Sequence, residues 1–235
     1  MFIYAHRGAS GYAPENTISA FKKAIEMGAE GIELDVQFSK DGIVMVMHDD
    51  TLDRTTNGSG RLEDYTLEEL KRLDAGFWFS SKYQEEKIPT LEEVIEILPK
   101  KFKLNIEFKP DKKNAKKIAE EVYKILKKFN YSENVILSSF YHETLKYYRE
   151  LDKNIQMGML FEFDMIDICL YAKNSGINPV SLNIAKEFVD EKFISDAHAN
   201  NLKVAVYTVN QFSKLKELSE MGADEIFCNY PDILK

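Results

Sequence analysis

From Leu104 to Cys228, short apolar runs alternate with longer amphipathic stretches, and no other feature constrains the fold as tightly. Strands are expected at Leu104–Lys109, Asn134–Ser138, Ile155–Leu160, Pro179–Asn183, Lys203–Val209 and Glu225–Cys228. Helices are expected at Lys113–Phe129, Tyr141–Leu151, Asp164–Asn174, Val189–Asn200 and Gln211–Glu220. Strand–helix alternation over short links is the signature of βαβ units on a parallel sheet. Adding Phe2–Ala5 and Ile32–Gln37 brings the strands to eight, which predicts an α/β fold closed as a (β/α)8, or TIM, barrel. An open doubly wound sheet is the alternative, but no Gly-x-Gly-x-x-Gly follows a strand. The 235 residues suit one large α/β domain or two small ones, and one domain over 1–235 is expected.

The first half is less regular. Gly8, Gly11 and Pro14 interrupt the chain after the first strand. Asn16 or Thr17 is placed to cap a helix running to about Met27, with Ile18, Phe21, Ala24 and Ile25 at helical spacing. In Gly31–Gln37, Ile32, Leu34 and Val36 alternate with Glu33, Asp35 and Gln37. In a closed barrel that polar side faces the interior. Lys40-Asp41-Gly42 is a turn and Ile43–Met47 a further strand, so the two strands can pair as a hairpin that returns His48 to Glu33 and Asp35. Asp49–Lys87 reads as an insertion (49–87) after the second strand, covering one face and too polar to hold a core of its own. Within it Thr55–Gly60 is a loop, Thr66–Glu69 a capping box opening a helix to about Leu73, and Gly76-Phe77-Trp78-Phe79 an aromatic cluster suited to packing within the insertion or to meeting an apolar substrate tail. Pro89–Glu93 opens a helix to about Leu98.

His6, Glu33 and Asp35, Glu107 and Lys109, Tyr207 and Asn229 all fall at the C-terminal ends of expected barrel strands, where barrel active sites are assembled. Glu33 and Asp35, two apart on a strand and roughly 7 Å from each other, can reach one ion. With Glu107 they form an all-oxygen set that favours a hard cation, Mg²⁺ or Ca²⁺. A solvated strand face and a Glu107–Lys109 ion pair account for the same residues on composition alone. Three carboxylates, a divalent ion, Arg7 and Lys109 sum to about +1, which a monoanionic ligand would neutralise; the arginine fork suits anionic oxygens and Lys109 a point contact. Of the four histidines, His6 and His48 adjoin these motifs and suit proton transfer. His142 and His198 lie within expected helices and read as structural.

Six pieces in this order and spacing resemble the glycerophosphodiester phosphodiesterase family: His6-Arg7-Gly8, Pro14-Glu15-Asn16-Thr17, Glu33-Leu34-Asp35-Val36, His48-Asp49, Glu107-Phe108-Lys109 and Val206-Tyr207-Thr208-Val209-Asn210. They span essentially the whole chain. The resemblance implies metal-dependent hydrolysis of glycerophosphodiesters to glycerol 3-phosphate and an alcohol. It places catalysis on His6 and His48, with His48 preferred as base, and one divalent cation on Glu33, Asp35 and Glu107. It assigns Glu15 and Asn16 to the metal site as ligands or as supports of the ligands; helix capping is their alternative. Tyr207 stands where many relatives carry tryptophan, and lines the substrate pocket or packs the barrel mouth. A lysophospholipase D-like activity on the same barrel and a non-catalytic phospho-ligand-binding barrel are the rival readings.

A net charge of −8 argues against nucleic acid as partner. No apolar run approaches the ~20 residues a bilayer requires. Met1–Ala5 show no basic region followed by an apolar signal segment, and Cys169 and Cys228 stand alone, so a cytoplasmic enzyme with a small-molecule substrate is expected. Head group and oligomeric state are not legible.

Overall fold

The computed structural model describes residues 1–100, 102–109 and 112–234. Among the described residues nine strands form, in chain order: β1 Phe2–His6, β2 Gly31–Phe38, β3 Val44–Val46, β4 Lys103–Phe108, β5 Val135–Ser139, β6 Gln156–Phe161, β7 Ser181–Ala185, β8 Lys203–Tyr207 and β9 Glu225–Cys228. Eight of them run parallel in the order β1-β9-β8-β7-β6-β5-β4-β2, and β1 pairs with β2 to close the ring. This is the expected (β/α)8 barrel. The remaining strand, β3, pairs antiparallel with β2 as the hairpin reading required, Val36 opposite Val46.

Among the described residues the α-helices are α1 Ile18–Glu26, α2 Leu67–Leu70, α3 Leu91–Ile97, α4 Ala115–Phe129, α5 His142–Leu151, α6 Ile168–Asn174, α7 Glu191–Ala199 and α8 Phe212–Met221. The expected capping box of Thr66 with Glu69 forms, and a second one, Thr90 with Glu93, opens the helix expected after Pro89; each pair exchanges side-chain and backbone hydrogen bonds. Helix α2 stops at Leu70, short of Leu73, because the Arg72 and Leu73 amides bond three residues back and tighten the chain into turns. Helix α6 starts at Ile168 rather than Asp164, since Asp167 has φ +55°, which no α-helix accommodates. Strand β8 ends at Tyr207, two residues before the expected Val209.

Every residue of β2 is buried. Its outward side chains Ile32, Leu34 and Val36 join the main core with Leu104, Ile106 and Phe108 of β4 and the inner faces of the helices. Burying each such side chain contributes roughly 1.5–3 kcal/mol. Inside the barrel Tyr4 stacks on Phe227, ring centroids 5.3 Å apart, beside Ile136 and Ala205. Towards the C-terminal ends the inward positions are polar, and register sets Glu33 beside Asn105, and Asp35 beside Glu107.

Residues 49–87 run over the barrel beside the β2–β3 hairpin. Its apolar residues Leu52, Leu62, Leu70 and Ala75 bury together with Ile88 on Met45 and Met47, which form a cluster separate from the main core. The hairpin supplies the apolar floor that the segment's own composition does not. Among the described residues no helix is long and apolar enough to cross a membrane.

Candidate active site

The barrel mouth holds a cleft of about 820 Å³ lined by His6, Arg7, Glu33, His48, Glu107, Lys109 and Tyr207 among others. Two turns shape its floor. At the end of β1, Arg7 adopts φ +56° and Gly8 φ +81°. A Cβ on Gly8 would lie 2.7 Å from the Ala20 carbonyl carbon, so the close approach of this turn to α1 requires glycine. The turn aims the Arg7 amide at Glu33 Oε2 (2.9 Å). Asn16, also left-handed at φ +56°, donates from Nδ2 to Asp35 Oδ2 (2.8 Å). Thr17, not Asn16, caps α1, its hydroxyl accepting from the Ala20 amide (3.2 Å). Asn16 is therefore free to brace a carboxylate.

Glu33, Asp35 and Glu107 each offer a carboxylate oxygen, and these oxygens lie within 4.8 Å of one another. Glu33 Oε1 is buried without a hydrogen-bond partner, and the buried Asp35 Oδ1 and Glu107 Oε1 face only Lys109. The Lys109 ammonium stands beside them, 3.3 Å from Asp35 Oδ1 and paired with Glu107. The Glu107–Lys109 ion pair is thus present, but it leaves Glu33 unanswered. Burial raises Glu33 well above the usual carboxylate range, and Asp35 and Glu107 add to the shift. Burial also pushes Glu107 up to about 7, Asp35 adding to it and Lys109 opposing it. At Asp35 burial is outweighed by Lys109 and Arg7, which hold its carboxyl at about 2. Three carboxylates this close share fewer than three charges until a cation joins them. Orphaned, all-oxygen donors fit a hard divalent ion.

Each histidine has one ring nitrogen committed. His6 Nδ1 donates to Asn229 Oδ1 (2.7 Å), and His48 Nδ1 donates to Asp49 Oδ1 (2.7 Å). Nε2 of each ring is left as the nitrogen that can exchange a proton. Burial, reinforced by Arg7, lowers His6 to about 4. Burial lowers His48 too; Asp35 and Asp49 oppose that shift without cancelling it. Both rings are therefore neutral at neutral pH.

Tyr207 donates its hydroxyl to the Phe161 carbonyl (2.6 Å), so its ring rather than its hydroxyl faces the cleft, edge-on to Phe140 with centroids 6.0 Å apart. The Trp78 and Phe79 rings pack against each other, with Phe79 against Tyr83, and none of these lines the cleft, whose apolar wall comes from Phe140, Leu160, Tyr207 and Phe227. His142 bonds Tyr171 and the Leu160 carbonyl, and His198 pairs with Asp224 (2.8 Å), both away from the cleft lining. Glu15 accepts from Arg7 (2.8 Å) and does not cap α1. Sequence reasoning assigned no role to Asp49, Asn229 or Arg54. Asp49 adjoins a motif histidine and Asn229 follows a strand end, so both carried a signal; Arg54, in a polar loop, carried none.

A sequence model of the glycerophosphoryl diester phosphodiesterase family matches residues 6–233. A glycerophosphodiester phosphodiesterase of Caldanaerobacter subterraneus is 40% identical over 99% of this chain and 95% of its own. The human glycerophosphodiester phosphodiesterase 1 is 32% identical over 89% of this chain and 72% of its own. Among solved structures, a phosphodiesterase from Oleispira antarctica, in complex with the product sn-glycerol-3-phosphate, superposes with a TM-score of 0.93 at 34% identity, covering 100% of this chain and 95% of that one. A barrel with this carboxylate cluster, matched from its first histidine almost to its last residue, belongs to the glycerophosphoryl diester phosphodiesterase family.

Proposed function

We propose that the chain hydrolyses glycerophosphodiesters to glycerol 3-phosphate and an alcohol, using one divalent cation, Mg²⁺ or Ca²⁺, with His6 and His48 as the proton-transfer pair. The observation that carries the reading is the convergence, at one barrel mouth, of three clustered carboxylates, of which Glu33 keeps a buried unpartnered oxygen, with two cationic side chains and two histidines pinned through Nδ1. Glu33, Asp35 and Glu107 would hold the cation, which would supply Lewis-acid stabilisation of charge on the phosphate oxygens. Arg7, whose Nε lies 3.4 Å from Asp35 Oδ2, and Lys109 orient the phosphate.

His48 acts as base. Its Nε2 takes a proton from the substrate's attacking C2 hydroxyl, and Asp49 stabilises the imidazolium that forms. That attack displaces the alcohol and leaves a cyclic phosphate, which water then opens with the proton roles reversed. His6 acts as acid towards the leaving oxygen. Its partner Asn229 is neutral, so Nε2 holds a proton weakly and releases it readily, while the anionic diester in the cleft favours its loading. The apolar wall of Phe140 and Tyr207 excludes water on one side. The Oleispira relative's bound product supports this substrate class. The free thiols Cys169 and Cys228 suit a reducing cytoplasm.

The test is turnover of glycerophosphocholine, read as release of glycerol 3-phosphate. Dialysis against EDTA should abolish it and Mg²⁺ or Ca²⁺ restore it. Calorimetry should show cation binding weakened in Glu33→Ala and retained in His48→Ala, whose kcat falls by about 10²–10⁴. Full activity after exhaustive chelation refutes the cation. Absence of glycerol 3-phosphate from every glycerophosphodiester tried refutes the substrate class.

A further inference from the structure

We propose that Arg54 is a positioning residue that locks the proton-transfer side of the cleft to its phosphate-binding side; the inference rests on the functional reading above. Arg54 makes two forks with one guanidinium. Nε and NH2 donate to Asp49 Oδ2 and Oδ1 (2.7 and 2.9 Å), and NH1 and NH2 donate to Glu15 Oε2 and Oε1 (2.7 and 2.7 Å). Each carboxylate passes the contact on. Asp49 Oδ1 also accepts from His48 Nδ1 (2.7 Å), and Glu15 Oε1 also accepts from Arg7 NH1 (2.8 Å). The chain His48–Asp49–Arg54–Glu15–Arg7 thus alternates in charge and joins three segments: the turn after β3, the 49–87 segment and the loop before α1.

Arg54 does not line the cleft, so it acts through the groups it holds. A second backbone tie serves the same turn, Gln37 Nε2 donating to the Asp49 carbonyl (2.7 Å), but it leaves the Asp49 carboxylate free to rotate. Without Arg54, the Asp49 and Glu15 carboxylates face each other uncompensated. Asp49 then swings off His48, and Arg7 is drawn towards Glu15 and away from the phosphate. A lysine restores the charge but cannot make two planar forks at once. The side chain is 44% exposed, and exposed ion pairs contribute little to folding stability. A kinetic effect is therefore separable from a structural one.

The experiment is a double-mutant cycle in the Mg²⁺-loaded enzyme with glycerophosphocholine. Arg54→Ala should lower kcat on the order of 10²-fold, as misplacement of a reacting group by an ångström does. It should raise KM severalfold as Arg7 shifts, and leave thermal stability within a few degrees of wild type. In a His48→Ala background the same change should cost kcat less than about threefold, because the group it positions is gone. Added guanidinium should partly rescue Arg54→Ala and not His48→Ala, and Arg54→Lys should fall between. A kcat within about twofold of wild type, or an equal loss in both backgrounds, overturns the proposal. If Arg54→Ala fails to fold, the Arg54→Lys cycle decides by the same criteria. An activity-free reading keeps this inference distinct from the functional one: the downfield His48 Nδ1 proton in the NMR spectrum should vanish in Arg54→Ala. Its persistence unchanged overturns the positioning role even if wild type turns over no glycerophosphodiester; that last failure alone refutes the substrate.

Discussion

Cation affinity at the carboxylate triad should drop steeply as pH falls through neutrality. Without a cation, Glu107 holds its proton up to about pH 7 and Glu33 is raised well above its ordinary value, while Asp35, at about 2, is ionised throughout. Binding requires the ionised ligands, so protons compete with the cation below the raised values. From about pH 8 to about pH 6 the ionised fraction of Glu107 alone falls about tenfold, which weakens affinity about tenfold, or ~1.4 kcal/mol. Glu33 steepens the dependence further. The linkage has a counterpart in stability. A carboxyl raised in the folded state from 4.5 to about 7 stabilises the fold fully below the lower value. That contribution is lost as pH rises through about 7, on the order of 3 kcal/mol for Glu107 in the cation-free protein. Mg²⁺ should recover it. Titration calorimetry at both pH values, in buffers of different ionisation enthalpy, measures affinity and proton release together. About one proton or more should be released per cation at about pH 6. Equal affinities at both pH values with no proton release would show that the triad is not the cation site.

Two further outcomes follow from the local structure. Gly8→Ala should cost about 2–4 kcal/mol in urea denaturation, since a Cβ there meets the Ala20 backbone and the residue sits at positive φ; a loss below ~1 kcal/mol refutes that account. Removal of residues 49–87 takes away Asp49 and Arg54 and uncovers Met45 and Met47, yet leaves all eight barrel strands. The shortened protein should keep the circular dichroism of a folded barrel and lose activity, and complete unfolding would show that the segment is part of the core rather than an insertion.

The strands, the helices and the strand-end placement of His6, Glu33, Asp35, Glu107 and Lys109 were legible in the sequence because they rest on local periodicity. The alternation of Glu33, Asp35 and Gln37 with Ile32, Leu34 and Val36 sets which side chains enter a closed barrel, whatever the rest of the chain does. Capping at Thr66 and Thr90 is equally local. Helix starts were less secure where one residue decides them, as Asp167 does for α6 through its positive φ. The partners of the catalytic groups were a different matter. Asn229 reaches His6 across 223 residues only because β1 closes on β9, and Arg54 reaches Glu15 across 39 only because the 49–87 segment folds over the β2–β3 hairpin. Asn16 braces Asp35 only because Thr17 takes the cap, and the Tyr207 hydroxyl is spent on Phe161 only because β8 lies two strands from β6. Such hydrogen bonds leave no periodicity in the chain; they depend on the distance between side chains after ring closure, which tertiary packing alone determines.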